Sequence, residues 1–409
     1  MFDGNSSDAT RRDMLKASAI GVGASMGLVG TASAAGDVVE FDESLTITQE
    51  DSGKTFRQVA DFDGSVDIES AEDVTVDGNG YTIFGGDVTC TSSVVDGIGQ
   101  VDPEDITFQN IHLPDGRFVI FNLYGAVIRN NVANGIYIDS SADFRVVDNT
   151  FDGTIQTEEN TSDTVFARNV AASIRVWGDL SDSHRVSSNF VTGSDNRVGI
   201  EFLQGDGLPG AVAIVGNYVG NAGSFGIDIT EDMDMDVEVR RNVVVGSADH
   251  GLYSLYPPTD VSENTLIGNG GDGVRGSVSR LKNNVATANG GDGFRVDVGR
   301  DCLRNAAVSN DGAGFRFSEQ EFGFLASSTG DAQVKFNRST GNHDGMVLSG
   351  FTVGAIRKND LTANGGNGLV LEDSDGNGVT RNWVCGNDGE QLIVDGDSTD
   401  NRFKNNTIC

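Results

Sequence analysis

Five prolines, four cysteines, four histidines and two tryptophans are all that this chain of 409 residues holds of those types. So few cysteines exclude a disulfide-built scaffold. Basic residues are scarce too: 28 Lys and Arg stand against 61 Asp and Glu, a net charge of −33. Such a charge repels phosphate backbones and anionic lipid, so nucleic acid and a peripheral lipid contact are excluded as partners. Beyond the N-terminal stretch, no segment reaches the roughly 18 apolar residues of a membrane helix. No segment of the mature chain sustains a helical 3.6 period over three turns. What abounds is glycine, 55 residues, with Asn and Asp beside it. An apolar fraction of 37% is too high for a disordered chain, so a folded, turn-rich protein is expected.

The N-terminus reads as an address. Thr10-Arg11-Arg12-Asp13-Met14-Leu15-Lys16 precedes a glycine- and alanine-rich apolar stretch from Ala17 to Gly30, and Ala32-Ser33-Ala34 follows. The apolar stretch is too short and too rich in glycine to span a membrane. The three features together resemble a twin-arginine (Tat) export signal over residues 1–34. The mature chain would then begin near Ala35, outside the cytoplasm. A surface this acidic and poor in lysine resembles those of proteins from salt-loving archaea, where charge holds water in high salt.

The rest of the chain repeats. Asparagine recurs at Asn131, Asn149, Asn169, Asn189, Asn217, Asn242, Asn264, Asn284, Asn305, Asn337, Asn359, Asn382 and Asn406, about 23 residues apart on average. Six of these have a glycine nine residues on: Gly226, Gly251, Gly273, Gly293, Gly314 and Gly368. An apolar–variable–apolar triplet follows, as in Ile227-Asp228-Ile229, Phe294-Arg295-Val296, Phe315-Arg316-Phe317 and Leu369-Val370-Leu371. Period two marks a short strand with one face buried. Asn-Gly-Gly-Asp-Gly at 269–273 and 289–293 and Asn-Gly-Gly-Asn-Gly at 364–368 are corners, where positive φ is expected of Gly and Asn.

Strand, corner, strand and return every twenty-odd residues is the arithmetic of an all-β, right-handed parallel β-helix of about 13–17 coils, up to roughly 80 Å long. Inward residues form apolar stacks, and the Asn column forms a ladder of side-chain amides on neighbouring backbone. The pattern resembles the pectin-lyase-like superfamily over nearly all of the mature chain, and Val74–Ile83 resembles its opening coil. The expected organisation is a signal at 1–34, a cap region at 35–73 with a short helix over Lys54–Phe62, and the β-helix at 74–409. The spacing breaks at 90–103, after Asn189 and after Asn305, which places loops there. Cys385 and Cys409 each lie three residues beyond a column asparagine, so stacked coils bring them within disulfide range. Cys90 and Cys302 lie many coils apart and should stay unpaired.

No cofactor is expected. The Asn-Gly-Gly-Asp-Gly runs resemble calcium-binding nonapeptides but occur once per coil, which favours structural turns over calcium sites. The acidic run Asp228–Asp236 favours a solvated loop over a cation site. His112, His184, His250 and His343 lack a second ligand at zinc or copper spacing, so no metal site is assigned. Asp249-His250 and His343-Asp344 read as corner residues. The superfamily's enzyme signatures are missing: no Arg-x-Pro-x-x-Arg, no Asp-Pro-His and no Gly-His-Gly.

What remains is the outward position two residues beyond the turn glycine: Glu201, Asp228, Tyr253, Arg275, Arg295 and Arg316, with Tyr137 and Arg175 toward the N-terminus. Stacked arginines repel unless an anion lies across them, and guanidinium forks suit the carboxylates or sulfates of an acidic polysaccharide. Tyr253 would stack on a sugar ring; Asp228 and Glu201 would act as acid and base in cleavage. The competing explanation is a structural ladder in which Asp272, Asp292 and Asp297 neutralise the arginines. The expected function is an exported, monomeric hydrolase or lyase for an acidic polysaccharide. A non-catalytic surface or matrix repeat protein is the rival; a maturation factor for an exported metalloenzyme lacks ligands.

Overall fold

The computed structural model describes residues 37–91, 93–95, 99–101, 103–158, 161–178, 183–193, 197–204, 211–229, 236–255, 259–318, 332–352 and 354–409. The expected export signal at 1–34, Glu231, Asp232 and Asp234 of the acidic run, and parts of the three spacing breaks lie outside these residues.

Each coil contributes three short strands to three parallel sheets. In one coil Ile227–Ile229 belongs to the first sheet, Asp236–Arg240 to the second and Val243–Val245 to the third. Each pairs in parallel with its equivalents in the coils before and after. The third sheet has a strand in each of 14 successive turns from His112–Phe121 to Thr407–Ile408. A parallel solenoid is therefore formed as the spacing predicts. Ile227, Ile229, Phe294, Val296, Phe315, Phe317, Leu369 and Leu371 all face the interior, none more than 2% exposed. Phe294 and Phe315 stack with centroids 5.1 Å apart.

The asparagine column runs unbroken from Asn131 to Asn406. Each backbone N–H and each side-chain Nδ2 donates to the Oδ1 of the next asparagine, as at Asn264–Asn284 (2.9 and 3.0 Å) and Asn284–Asn305 (2.9 and 3.0 Å). Nδ2 also reaches a carbonyl on the preceding coil, Val261 for Asn284 at 2.9 Å. These amides are buried at a bend where the backbone changes sheet, so they supply partners that the strand ladder lacks. A second ladder, invisible in the spacing argument, runs Asn269–Asn289–Asn310–Asn342–Asn364–Asn387 with Nδ2–Oδ1 distances of 2.8–3.3 Å.

Three expectations change. Turn glycines 226, 251, 273, 293, 314 and 368 do not have positive φ. They are needed for room: a Cβ at Gly251 would come within 2.7 Å of both Asn269 Nδ2 and the Gly273 carbonyl. Positive φ instead falls on the residue before each column asparagine, from Asn130 to Asn405, including Arg241, Phe336 and Lys358. No helix forms over Lys54–Phe62; Thr55–Gln58 is a strand paired with Val38–Phe41 and Thr75–Asp77. Phe56 and Gln58 alternate inward there, and Gln58 Nε2 donates to the Ala60 and Thr82 carbonyls. Coils thus begin at Val38, inside the region assigned to a cap. Cys385 and Cys409 are bridged with Cα atoms 4.8 Å apart, as the register requires, while Cys90 and Cys302 are free and buried.

Candidate functional site

The first sheet's outward column is in strict register. Tyr137 pairs with Gln156 and Gln156 with Arg175, followed by Glu201, Asp228, Tyr253, Arg275, Arg295 and Arg316 on successive coils. Beyond Arg316 the column turns apolar at Val347 and Val370. The sequence register therefore brings all six site residues onto one face. A groove of about 740 Å³ lies elsewhere, on the second sheet between Glu238, Asp260, Arg280 and Arg300.

The members differ in surroundings. Asp228 is buried at 6% exposure, while Glu201, Tyr253, Arg275, Arg295 and Arg316 are half-buried. Glu201 Oε2 is 3.0 Å from Arg175 Nε, and that guanidinium lies 5.8 Å from the Trp177 ring centre. Arg316 Nε donates to Asp292 Oδ2 at 2.7 Å. Arg275 lies 3.9 Å from Asp272 Oδ2 and 3.3 Å from His250 Nε2. Acidic corner residues thus meet Arg275 and Arg316, as the structural-ladder explanation expects of Asp272 and Asp292; Asp297 is buried.

Those corner residues form a column of their own, immediately before the turn glycines: Phe225, His250, Asp272, Asp292 and Ala313. Asp272 N–H donates to His250 Nδ1 at 2.7 Å, Asp292 N–H to Asp272 Oδ1 at 2.6 Å, and Ala313 N–H to Asp292 Oδ1 at 2.6 Å. Because Nδ1 accepts, the neutral ring carries its proton on Nε2. Phe225, His250 and Tyr253 form one stack, with Phe225–Tyr253 centroids 4.9 Å apart at 15°. Burial pushes the Asp272 carboxyl up to about 6. Burial, with Arg275 and Arg295 adding to it against Asp249, lowers His250. A buried acid and a buried base with pKa values moved toward each other thus lie behind the arginines.

His250, Asp272 and Asp292 lie outside the set of site residues that the sequence points to. The signal existed: each lies eight residues after a column asparagine (Asn242, Asn264, Asn284). The Asn and Asp of the Asn-Gly-Gly-Asp-Gly runs are used in ladders and backbone bonds. Among the described residues no group of three His, Cys, Asp or Glu is placed to hold a metal. Among those residues, too, no helix is long and apolar enough to cross a membrane.

Two family models match parts of the chain. One, described as right handed beta helix region, covers residues 172–322. The other, described as periplasmic copper-binding protein (NosD), covers residues 300–409. No curated protein matches. Among solved structures, the surface adhesin PfbA of Streptococcus pneumoniae is 13% identical, covering 86% of this chain and 83% of its own, with a TM-score of 0.28. A mannuronic acid specific polysaccharide family 6 lyase from human gut microbiota is 12% identical over 86% of this chain and 81% of its own, TM-score 0.32. The A-module of the Azotobacter vinelandii mannuronan C-5 epimerase AlgE4 is 14% identical over 85% and 88%, TM-score 0.30.

Proposed function

We propose that the protein is an exported β-helix that binds an acidic polysaccharide along the first sheet's outward column and cleaves it. The observation that carries this reading is the unbroken register of Tyr253, Arg275, Arg295 and Arg316 on a chain of net charge −33. Three cations in line on so acidic a body favour an anion laid across them, and successive sugar carboxylates or sulfates fit guanidinium forks. Tyr253, held flat by Phe225, offers a ring for sugar stacking. Asp228 and Glu201 on the two preceding coils take the acid and base roles in cleavage. The Cys385–Cys409 bridge supports an oxidising, extracytoplasmic location, and the Arg11-Arg12 run supports the Tat route.

A second reading is a non-catalytic surface repeat protein. It is favoured by the Arg175–Glu201 and Arg316–Asp292 pairs, in which those charges already meet an opposite charge within the chain.

The test is a panel of acidic polysaccharides incubated with the full chain in molar salt. Reducing ends identify a hydrolase and unsaturated ends a lyase; binding without either identifies the non-catalytic reading. Arg295→Ala is expected to weaken binding by about 1.5–3 kcal/mol, the worth of a charge-assisted hydrogen bond. Asp228→Asn should retain binding and abolish turnover. Binding unchanged in both Arg295→Ala and Arg316→Ala overturns the proposal.

A further inference from the structure

The third sheet is unlike the other two on its outer face. From Phe190 the outward column continues in register through Tyr218, Val243, Thr265, Val285 and Ala306. Beside it Val245, Ile267, Thr287 and Val308 form the second outward column. None of these ten residues is charged, in a chain where 22% of residues are. On overlapping coils the first sheet points out Glu201, Arg275, Arg295 and Arg316, and the second sheet Glu238, Asp260, Arg280 and Asp301. The face is open: Phe190 is 44% exposed, Tyr218 37% and Val285 37%. Phe190 and Tyr218 stack at 4.8 Å and 5°, so the strip is ordered as well as apolar. It ends where the column meets Arg338 and Asp360.

We infer that two copies of this chain pack back to back through the outer face of the third sheet. Anything that covers an apolar strip on so acidic a body must bring a surface without net negative charge to it. The strip of a second copy is such a surface. Both strips repeat at the same coil spacing of about 4.8 Å, so rows of Val, Thr and Ile from one sheet fall between those of the other. The rim does not oppose approach: Arg241 is paired to Glu263 at 2.7 Å and Arg168 to Asp148 at 2.7 Å within the same chain. Ten residues over six rungs give an apolar patch on the order of 400 Å², the size of the largest patch on an ordinary monomer, which is often functional. That is about half of what each partner buries in a standard interface, so a weak dimer is expected. Salt strengthens it, both by screening the repulsion between two acidic bodies and by favouring apolar contact. The sequence reading expects a monomer; this face argues for association of copies.

Sedimentation of the full chain from micromolar to hundred-micromolar concentration in molar salt tests this. Mass should rise from 43.0 kDa toward twice that value, and less so in dilute salt. Val285→Glu and Thr287→Glu each place a carboxylate on the strip without touching the core, and should weaken association at least about tenfold with melting unchanged. Ser262→Glu, on the second sheet, should associate like the natural chain. Hydroxyl-radical labelling of Phe190 and Tyr218 in the unsubstituted protein should fall as concentration rises. A chain that stays monomeric throughout, or face variants that dimerise as the natural chain does, overturns the inference. A monomer that binds an insoluble neutral polysaccharide, and loses it with Val285→Glu, also overturns it and assigns the strip to carbohydrate.

Discussion

The asparagine column and the arginine column follow the same coil register, yet they are stabilised in different ways. An asparagine carries a donor and an acceptor, so a stack of asparagines satisfies itself: each Oδ1 accepts from the preceding coil and each Nδ2 donates onward. Arginine carries donors alone, and a stack of arginines must find acceptors outside the column. Arg316 finds Asp292 at 2.7 Å and Arg275 has Asp272 at 3.9 Å, both from the neighbouring corner. A self-satisfying column can extend over any number of coils. A column that depends on its neighbours is confined to the coils where those neighbours occur.

The comparison is broken most severely by putting charge inward. The strand Phe315–Ser318 holds Phe315 inside, fully buried, and Arg316 outside. Phe315→Asp buries an unpaired carboxylate and is expected to cost at least about 4 kcal/mol in denaturant unfolding, or to prevent folding.

Next comes Asn284→Ala. It removes the acceptor used by Asn264 N–H and Nδ2, and the donor used by the Val261 carbonyl and Asn305. A loss of about 2–4 kcal/mol is expected. An unchanged unfolding midpoint would mean that backbone pairing alone fixes the bend.

Acidity sharpens the comparison from the other side. Asp272 is raised in the fold to about 6 from an ordinary 3.8. The folded state therefore holds its proton more tightly than the unfolded state. Its stabilising contribution is complete below about pH 4 and is lost as pH rises through 6, about 2–3 kcal/mol in all. His250 is lowered, so its contribution runs the opposite way, absent in acid and regained as pH rises toward its ordinary 6.5. Asp272→Asn keeps the acceptor for Asp292 N–H and removes only the titration. The variant should gain on the natural chain between pH 4 and 7 in paired unfolding curves. A constant gap across that range would show that Asp272 is ionised in both states.

Arg316→Ala has the smallest expected effect on folding. Its side chain is 32% exposed against 7% for Asp292, which keeps its bond from Ala313 N–H, so a change of about 1–2 kcal/mol is expected. Its effect on polysaccharide binding should be larger than its effect on melting. The reverse order would assign the arginines to structure.

The sequence was most legible where spacing alone decides. Column asparagines about 23 residues apart locate every rung from Asn131 to Asn406, and the Cys385–Cys409 bridge follows from that register. The outward set from Glu201 to Arg316 was legible for the same reason. It was less legible where residue type misled. Lys54–Phe62 reads as a helix, but tertiary pairing overrides that preference and makes Thr55–Gln58 a strand. Positive φ was assigned to glycines that are there to avoid a clash.

By itself the sequence determined the coil, its inward stacks and the alignment of the outward columns, because a solenoid turns a fixed spacing into a fixed side-chain direction. Only the tertiary structure decided which acid each arginine meets, that His250 and Asp272 lie behind them with opposed pKa shifts, and that the third sheet's apolar columns share one bare face. Those are contacts between side chains of different columns. Their distances depend on how the chain bends at the corners and how deeply each group is buried, and neither is set by spacing along the chain.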